Sequence, residues 1–543
     1  MTIDYEQFCK SIFKDIEYIE YEDLQKENTL IDLGISSIDL LSMLAQIQDE
    51  YGVIVSTDEI DFNFTLLELY NFTIYKVNEK HNDKIEYLSY GYSSFHNVIS
   101  NMVKVFGERT ALVRYDGGKT RNIRYKDFIK EVKALAKSLD KQENGDKNIG
   151  IVIKDKYLLL KVFMAVLYNN CIPVIIPSEV FEYGKADECC ASIVSDNELE
   201  FEDKFNEHTS LGDDDLYFYR NTFRNISRTE ESCVILYTSG TGGFNKGVIL
   251  GIDGIIANID SFSRAMYCEN NHVTTLEYTH AFGLFVGCLW PLFNGKCIHI
   301  VKSIDSLKEV SDKKQIDVLC CVPLTMDYIR KHYNLKNISI KKILVGGAKL
   351  DTCVGREFED NGIKVCQLYG ITECTAAVTV NREFDGNLKS VGEVLNGYEI
   401  LQPKDIEEEE IVIKSKAIYR RYVGGEEAST YYHTGDIGYL ENGKLIIVGR
   451  ANNKIVRSDG NNIYPEFIES ILREIADVQD ALVYEDGGVL CADIYSDKRI
   501  LDKVEIKKEC NKKLPVYMRL QQIIIKNQPL ERNRIGKLVR RAV

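Results

Sequence analysis

At 543 residues, 45% of them hydrophobic, the chain can bury several cores and divides by length into roughly three or four compact units, which excludes a single-domain protein. A formal net charge of −16 argues against a nucleic-acid partner. The 15 cysteines are singletons and two adjacent pairs, Cys189/Cys190 and Cys320/Cys321, without CxxC spacing, so they read as reduced thiols, not as a disulfide framework or zinc site.

Residues 1–80 hold 5 Lys/Arg against 17 Asp/Glu, a net −12 that leaves only −4 for the rest, so the chain opens on a separate acidic module. It reads as short helices: an opening stretch to about Ile19, a helix over Ile38 to Tyr51 and another over Leu66 to Lys76. In the middle one Leu40, Leu44, Ile47 and Tyr51 recur at helical spacing and Gly52 stops it. A small all-α bundle is expected. The polar run NEKHNDK begins a connection, and the linker is placed at 81–92.

From about Ser93 apolar runs alternate with helical patterns: NIGIVI, a helix through Leu158 to Tyr168, IPVIIP, then SCVILY, KCIHIV, DVLCCV, KKILV and IKVCQLY. Strands alternating with helices predict a layered α/β domain over 93–448. Short strands and two helices, near Pro465 to Ile475 and Ile506 to Lys513, predict a small α+β unit over 449–543. The acid run Glu407 to Glu410 reads as a solvated turn. No basic-then-apolar signal opens the chain. The stretch around Phe282 to Phe293 is broken by Gly and Pro, so a cytoplasmic protein without a membrane partner is expected.

The segment YTSGTGGFNKGV, 237–248, combines three aliphatic hydroxyls, four glycines and a lysine. Glycines let backbone N–H groups approach an anion, hydroxyls add donors and Lys246 adds a point charge, which is how a polyphosphate is held. The spacing is not that of a P-loop.

This segment resembles the phosphate loop of the adenylate-forming superfamily, which includes acyl-CoA synthetases, peptide-synthetase adenylation domains and luciferases. GGAK (Gly346 to Lys349), YGITE (Tyr369 to Glu373), HTGDIGYL (His433 to Leu440), GRANNKIVRSDGNNIYPEFIE (Gly449 to Glu469) and RIGK (Arg534 to Lys537) follow in the family's order. The resemblance implies ATP contacts from Thr238, Ser239, Gly240, Thr241, Gly242, Gly243, Lys246, Gly347, Ala348, Tyr369, Gly370 and Thr372. It implies Mg²⁺ on Glu373, a hard oxygen ligand, adenine along Tyr369, ribose on Asp436 and a second nucleotide contact from Arg450. Lys537 is implied as the main catalytic group, a cation where charge builds between acyl carboxylate and α-phosphate, with Thr238 and His280 as further catalytic candidates. Asn452 stands at the implied hinge between large and small domains, and Gly460 in the segment that rotation brings to the thiol channel.

In the acidic module LGISSIDLL, 33–41, is similar to the LGxDSL signature of acyl and peptidyl carrier proteins. Counting three past Gly34 selects Ser37, not Ser36, for covalent 4′-phosphopantetheine, which implies a four-helix bundle and a phosphopantetheinyl transferase as partner. A Ser N-cap on the following helix is the plainer reading, compatible with the first.

Several positions depart from the family pattern. Gly242 replaces a Thr, Asn245 a Pro and, in the carrier signature, Ser36 an Asp. Where amino-acid-activating domains present an Asp, THAFGLF has Ala281 after His280, leaving no acid to neutralise a buried ammonium. Ala281, Phe282, Gly283 and Ile371 are candidates for an acyl pocket, with Leu284 and Phe285 adding apolar surface, so the expected substrate is an aliphatic or aryl carboxylic acid. His280 is read either as lining the thiol channel or as core packing. The implied activity is ATP-dependent formation of an acyl-adenylate, then of a thioester on the chain's own or a neighbouring copy's carrier. That product would feed a condensing or acyl-transfer enzyme of nonribosomal peptide or polyketide type. The alternatives are an acyl-CoA ligase and a catalytically weak carrier or docking protein.

Overall fold

The computed structural model describes residues 5–14, 16, 18–19, 24–25, 28–51, 53, 55, 60, 64–67, 69–70, 72–73, 95–116, 119–140, 148–177, 190–199, 207–210, 216–220, 233–239, 245–381, 390–401, 409–456, 462–496, 501–532 and 538–540. Contacts divide the chain into two units, Met1–Tyr87 and Leu88–Val543.

In the first unit α1 (Tyr5–Ile12) and α2 (Ser37–Tyr51) bury Phe8, Cys9 and Ile12 with Leu40, Met43, Leu44 and Ile47 in one core. Leu66, Leu67, Leu69, Tyr70, Phe72 and Thr73 are also helical. The remainder of the expected four-helix bundle, and the linker 81–92, lie outside the described residues. The opening helix ends at Ile12, short of the expected Ile19, because the chain tightens into i→i−3 turns, Ile16 N–H on Phe13 O and Ile19 N–H on Ile16 O.

The second unit is layered α/β. Its elements include β1 (Asn148–Val152), α3 (Lys156–Tyr168), β2 (Ile172–Ile175), β3 (Cys233–Ser239), β4 (Asn245–Gly251), β5 (Ile316–Cys321), β6 (Ile340–Val345) and β7 (Lys364–Tyr369). The apolar runs read from the sequence are strands buried along most of their length, the pattern of sheets covered on both faces. Among the described residues β1, β2 and β3 run parallel in an 8-stranded sheet that continues antiparallel through β4 to β8 (Arg421–Tyr422). A 13-stranded sheet carries β5, β6 and β7 in parallel and, in its antiparallel part, β9 (Tyr431–Glu441) and β10 (Lys444–Arg450). In register Val345 faces Gln367, so the loops that follow β6 and β7 leave the sheet side by side. Carboxyl ends of parallel strands are where such folds bind ligands.

After Arg450 come α4 (Pro465–Arg473), β11 (Asp480–Asp486), β12 (Val489–Tyr495), α5 (Lys503–Lys512) and β13 (Gln522–Lys526). The strands form one sheet over a core of their own, the α+β character expected of this end. The described cysteines are free, and no helix among the described residues is long and apolar enough to cross a membrane.

Candidate active site

The 237–248 segment is a hairpin. Strands β3 and β4 pair with Thr238 opposite Lys246 and Ser239 opposite Asn245. Asn245 thus opens a paired strand and supplies a backbone N–H that Pro lacks. The tip, with Gly240, Thr241, Gly242 and Gly243, lies outside the described residues.

One buried carboxylate joins three motifs. Asp436, on β9 and 5% exposed, accepts a hydrogen bond from the Tyr369 hydroxyl at 2.7 Å on one oxygen. Its other oxygen lies 2.7 Å from Arg450 Nε, directly across the β9–β10 ladder. Each carboxylate oxygen can accept more than one donor, so both keep capacity for a ligand. Burial, and Asp436 beside it, push the Tyr369 phenol well above its ordinary range, so it remains a donor. The bend before Asp436 is fixed by Gly435 at φ +69°, whose N–H bonds Glu410 Oε1 at 2.9 Å, while His433 Nδ1 lies 3.0 Å from Glu410 Oε2. Glu410 belongs to a strand and bonds across the ladder to the HTGD segment of β9; it is not part of a solvated turn as the sequence predicted.

The loop after Tyr369 folds back tightly. A Cβ on Gly370 would lie 1.3 Å from Ala376 O, so only glycine fits there. Thr372 and Glu373 sit in a 3-10 turn that ends on two consecutive left-handed residues, Thr375 and Ala376. Each such residue costs roughly 1–3 kcal/mol and persists only where surroundings enforce it. Here the Thr375 hydroxyl donates to Ala417 O at 2.6 Å. Glu373 is half-buried. One of its oxygens accepts from the Tyr422 hydroxyl at 2.9 Å, and the second takes no hydrogen bond from the described residues. That second oxygen is a hard acceptor of the kind a divalent cation takes. Lys246 Nζ stands 4.9 Å from the centroid of the Tyr422 ring. Sequence reasoning missed Tyr422; the aromatic-rich run Tyr419 to Tyr422 was the available signal.

Gly347 (φ +80°) and Ala348 are exposed on the loop after β6, beside the β7 loop. The HAFGL stretch leads into a π-helix, Phe282–Leu289, a form that recurs at functional sites. Gly283 is required there, since a Cβ would lie 2.2 Å from Glu277 O. Leu284 and Phe285 are wholly buried in the main core, whereas Phe282 and Ile371 are half-buried and Ala281 is buried. His280 is exposed on the turn before the π-helix.

Asn452 is exposed in the 3-10 turn Ala451–Asn453 that follows β10. Gly460 and Lys537 lie outside the described residues, but the chain on both sides of 533–537 is anchored. Arg532 lies 2.5 Å from Asp480, and Arg540 lies 2.9 Å from Glu469 and 3.3 Å from Glu466. Arg532 bridges Leu538, and Val539 N–H bonds Glu531 O at 2.9 Å.

In the first unit α2 starts at Ser37, one residue before the predicted Ile38, and Ser36 precedes it as N-cap. Ser36 and Asp39 cap reciprocally. Asp39 accepts from Ser36 N at 2.8 Å and Ser36 Oγ at 2.6 Å, and Asp39 N–H returns to Ser36 Oγ at 3.3 Å. The Tyr18 hydroxyl also donates to Asp39, at 2.7 Å. These donors hold the Asp39 carboxyl below its usual range. Ser37 is the first helical residue and is exposed.

A family model described as AMP-binding enzyme matches residues 100–423, and one described as phosphopantetheine attachment site matches 9–72. The 2-succinylbenzoate–CoA ligase of Lactococcus lactis subsp. lactis (strain IL1403) is 28% identical over 323 residues, 58% of this chain and 70% of that protein. Bacitracin synthase 2 of Bacillus licheniformis is 24% identical over 363 residues, 60% of this chain and 14% of that protein. Among solved structures, the O-succinylbenzoate coenzyme A synthetase of Bacillus subtilis in complex with ATP and magnesium ion superposes with a TM-score of 0.65. It is 20% identical, over 81% of this chain and 97% of that one.

Proposed function

The chain belongs to the AMP-binding enzyme family, and on that premise we propose that it activates a carboxylic acid as an acyl-adenylate and passes the acyl group to a pantetheine thiol on its own carrier module. The observation that carries the first half is two sets of contacts at the site: Lys246 against Tyr422 with Tyr422 on Glu373, and Tyr369 and Arg450 both on Asp436. The second half is supported by the phosphopantetheine attachment match and by the exposed serine that starts α2.

In this reading 1–80 is the carrier, 81–92 the linker, 93–448 the large adenylation domain and 449–543 the mobile small one, turning at Asn452. Asp436 and Arg450 take the ribose, with Tyr369 along the adenine and Gly347 and Ala348 beside it. Lys246 and the hairpin tip take the phosphates. Glu373 would hold Mg²⁺, which supplies neutralisation of phosphate charge; the unengaged carboxylate oxygen fits that ion. The acid's carboxylate attacks the α-phosphorus of ATP, the bond to the β-phosphate oxygen breaks, and pyrophosphate leaves. Lys537 faces the charge that builds there. The thiol sulfur then attacks the acyl carbon and AMP leaves with the bonding pair, Gly460 lining the approach. Ala281, Phe282, Gly283 and Ile371 line the acyl pocket and His280 its thiol side, with no carboxylate for a substrate ammonium, so the acid is aliphatic or aryl. The aromatic acid in the names of the coenzyme A ligases among its relatives favours aryl. A phosphopantetheinyl transferase and a downstream condensing or acyl-transfer enzyme complete the set of partners.

Those same names favour a second reading, in which free coenzyme A is the acceptor. One experiment separates the two. The pantetheinylated protein is offered ATP and a pool of acids, and intact protein and small thioesters are weighed. A mass gain absent from Ser37→Ala identifies acid and site together. Acyl-CoA formed without any protein mass gain refutes carrier loading.

A further inference from the structure

The reading above gives Tyr422 no chemical role, yet it touches both of the charges on which that reading depends. Its hydroxyl donates to Glu373 Oε1 at 2.9 Å and its ring lies 4.9 Å from the Lys246 ammonium. A lysine and a glutamate that both touch one tyrosine carry opposite charges and attract each other. Among the described residues, however, Lys246 and Glu373 form no ion pair.

The tyrosine is held to both neighbours by backbone. β8 pairs with β4, Tyr422 opposite Val248, with Arg420 N–H on Ile249 O and Val423 N–H on Gly247 O, each 2.8 Å. One step away, Tyr419 N–H donates to Glu373 O at 2.7 Å. A Cβ on Gly247 would lie 2.6 Å from Val423 Cγ2, so this strap packs directly on the hairpin. The Tyr419 ring, 4.7 Å away, backs the Tyr422 ring.

We propose that Tyr422 is a positioning residue for acid activation: its hydroxyl fixes the Glu373 carboxylate for a divalent cation, and its ring keeps the Lys246 ammonium apart from that carboxylate and available to phosphate. The proposal rests on the reading of Glu373 as cation ligand and Lys246 as phosphate contact. Groups that orient a metal ligand typically change metal affinity by about ten- to a hundredfold when removed.

The test uses the full-length protein, with Mn²⁺ binding followed by electron paramagnetic resonance in the presence of ATP. Tyr422→Phe keeps the ring and should weaken Mn²⁺ about tenfold while leaving metal-free ATP binding unchanged. Excess Mg²⁺ should restore its pyrophosphate exchange, and its thermal midpoint should match wild type. Tyr422→Leu should weaken metal-free ATP binding as well, because Lys246 is then released to pair with Glu373. Mn²⁺ affinity of Tyr422→Phe equal to wild type, or a loss of exchange that Mg²⁺ does not restore, overturns the proposal. Wild type that binds no Mn²⁺ with ATP overturns it together with the cation assignment. The expected Tyr422→Phe difference in a chain that activates no acid sinks only the acid reading and leaves Tyr422 in place.

Discussion

The guanidinium of Arg540 lies 2.9 Å from the carboxylate of Glu469, whose side chain is 2% exposed. Glu469 also accepts the Val483 N–H at 2.9 Å, and burial raises its carboxyl above the usual range even with Arg540 beside it. Removing the arginine strands a buried charge. Arg540→Ala should destabilise the small unit by about 3–5 kcal/mol, while Arg540→Met with Glu469→Leu should recover most of that. Urea unfolding of the single and double variants measures both. Pyrophosphate exchange should fall in Arg540→Ala, since this pair anchors the chain just past Lys537, the proposed catalytic group.

Asp436 gives the sharpest separation between binding and structure. Asp436→Asn keeps the shape but removes the charge that Arg450 and Tyr369 address, and should raise the KM for ATP by at least tenfold, about 1.5–3 kcal/mol. Tyr369→Phe removes one donor and should cost less, about 1 kcal/mol. Exchange kinetics against ATP concentration distinguish the two. Equal effects would sink the assignment of Asp436 as the central nucleotide contact.

Ser36 and Ser37 should behave as opposites. Ser36→Ala removes the cap and should lower the stability of the first unit by about 1 kcal/mol while pantetheine attachment continues. Ser37→Ala should leave stability unchanged and abolish attachment. Thermal unfolding and intact mass on the same samples read both effects.

Two buried histidines set an acid limit on the large domain. Burial pushes His272 down to about 3 and His299 down to about 4. Unfolding exposes them as ordinary imidazoles that bind protons below about pH 6.5. Stability is therefore fully present above pH 6.5 and is lost as pH falls toward 4 and then 3. His272 alone accounts for something on the order of 4 kcal/mol across that window. The thermal midpoint should drop steadily between pH 6.5 and 4, and His272→Gln should flatten that slope. An unchanged slope would remove His272 from the account.

The elements were legible in the sequence where one signal dominated. Buried parallel strands such as Ile316–Cys321 and Ile340–Val345 announce themselves as apolar runs, and α2 as a 3.6-residue stripe. The candidate site was proposed residue by residue from its glycines, hydroxyls and charges. What the sequence did not carry was partnership across long separations. Nothing near Tyr369 points to Asp436, and nothing near Glu373 points to Tyr422, because both pairs are made by sheet order and strand register. Glu410 was misread for the same reason: its partners, Gly435 and His433, lie across a ladder. Leu284 and Phe285 looked like pocket lining because apolar residues for a cavity and for a core have the same composition.

The Arg420 to Val423 strap also bears on how this enzyme can be recombined. Because side chains alternate along a strand, inserting or deleting one residue there would turn Tyr422 away from Glu373 and present Arg421 or Val423 instead. Chimeras that import a new acid pocket from a relative should thus inherit β4, the Glu373 loop and this strap from the same parent. Crossovers that split the three would join two intact halves of a site out of step with each other.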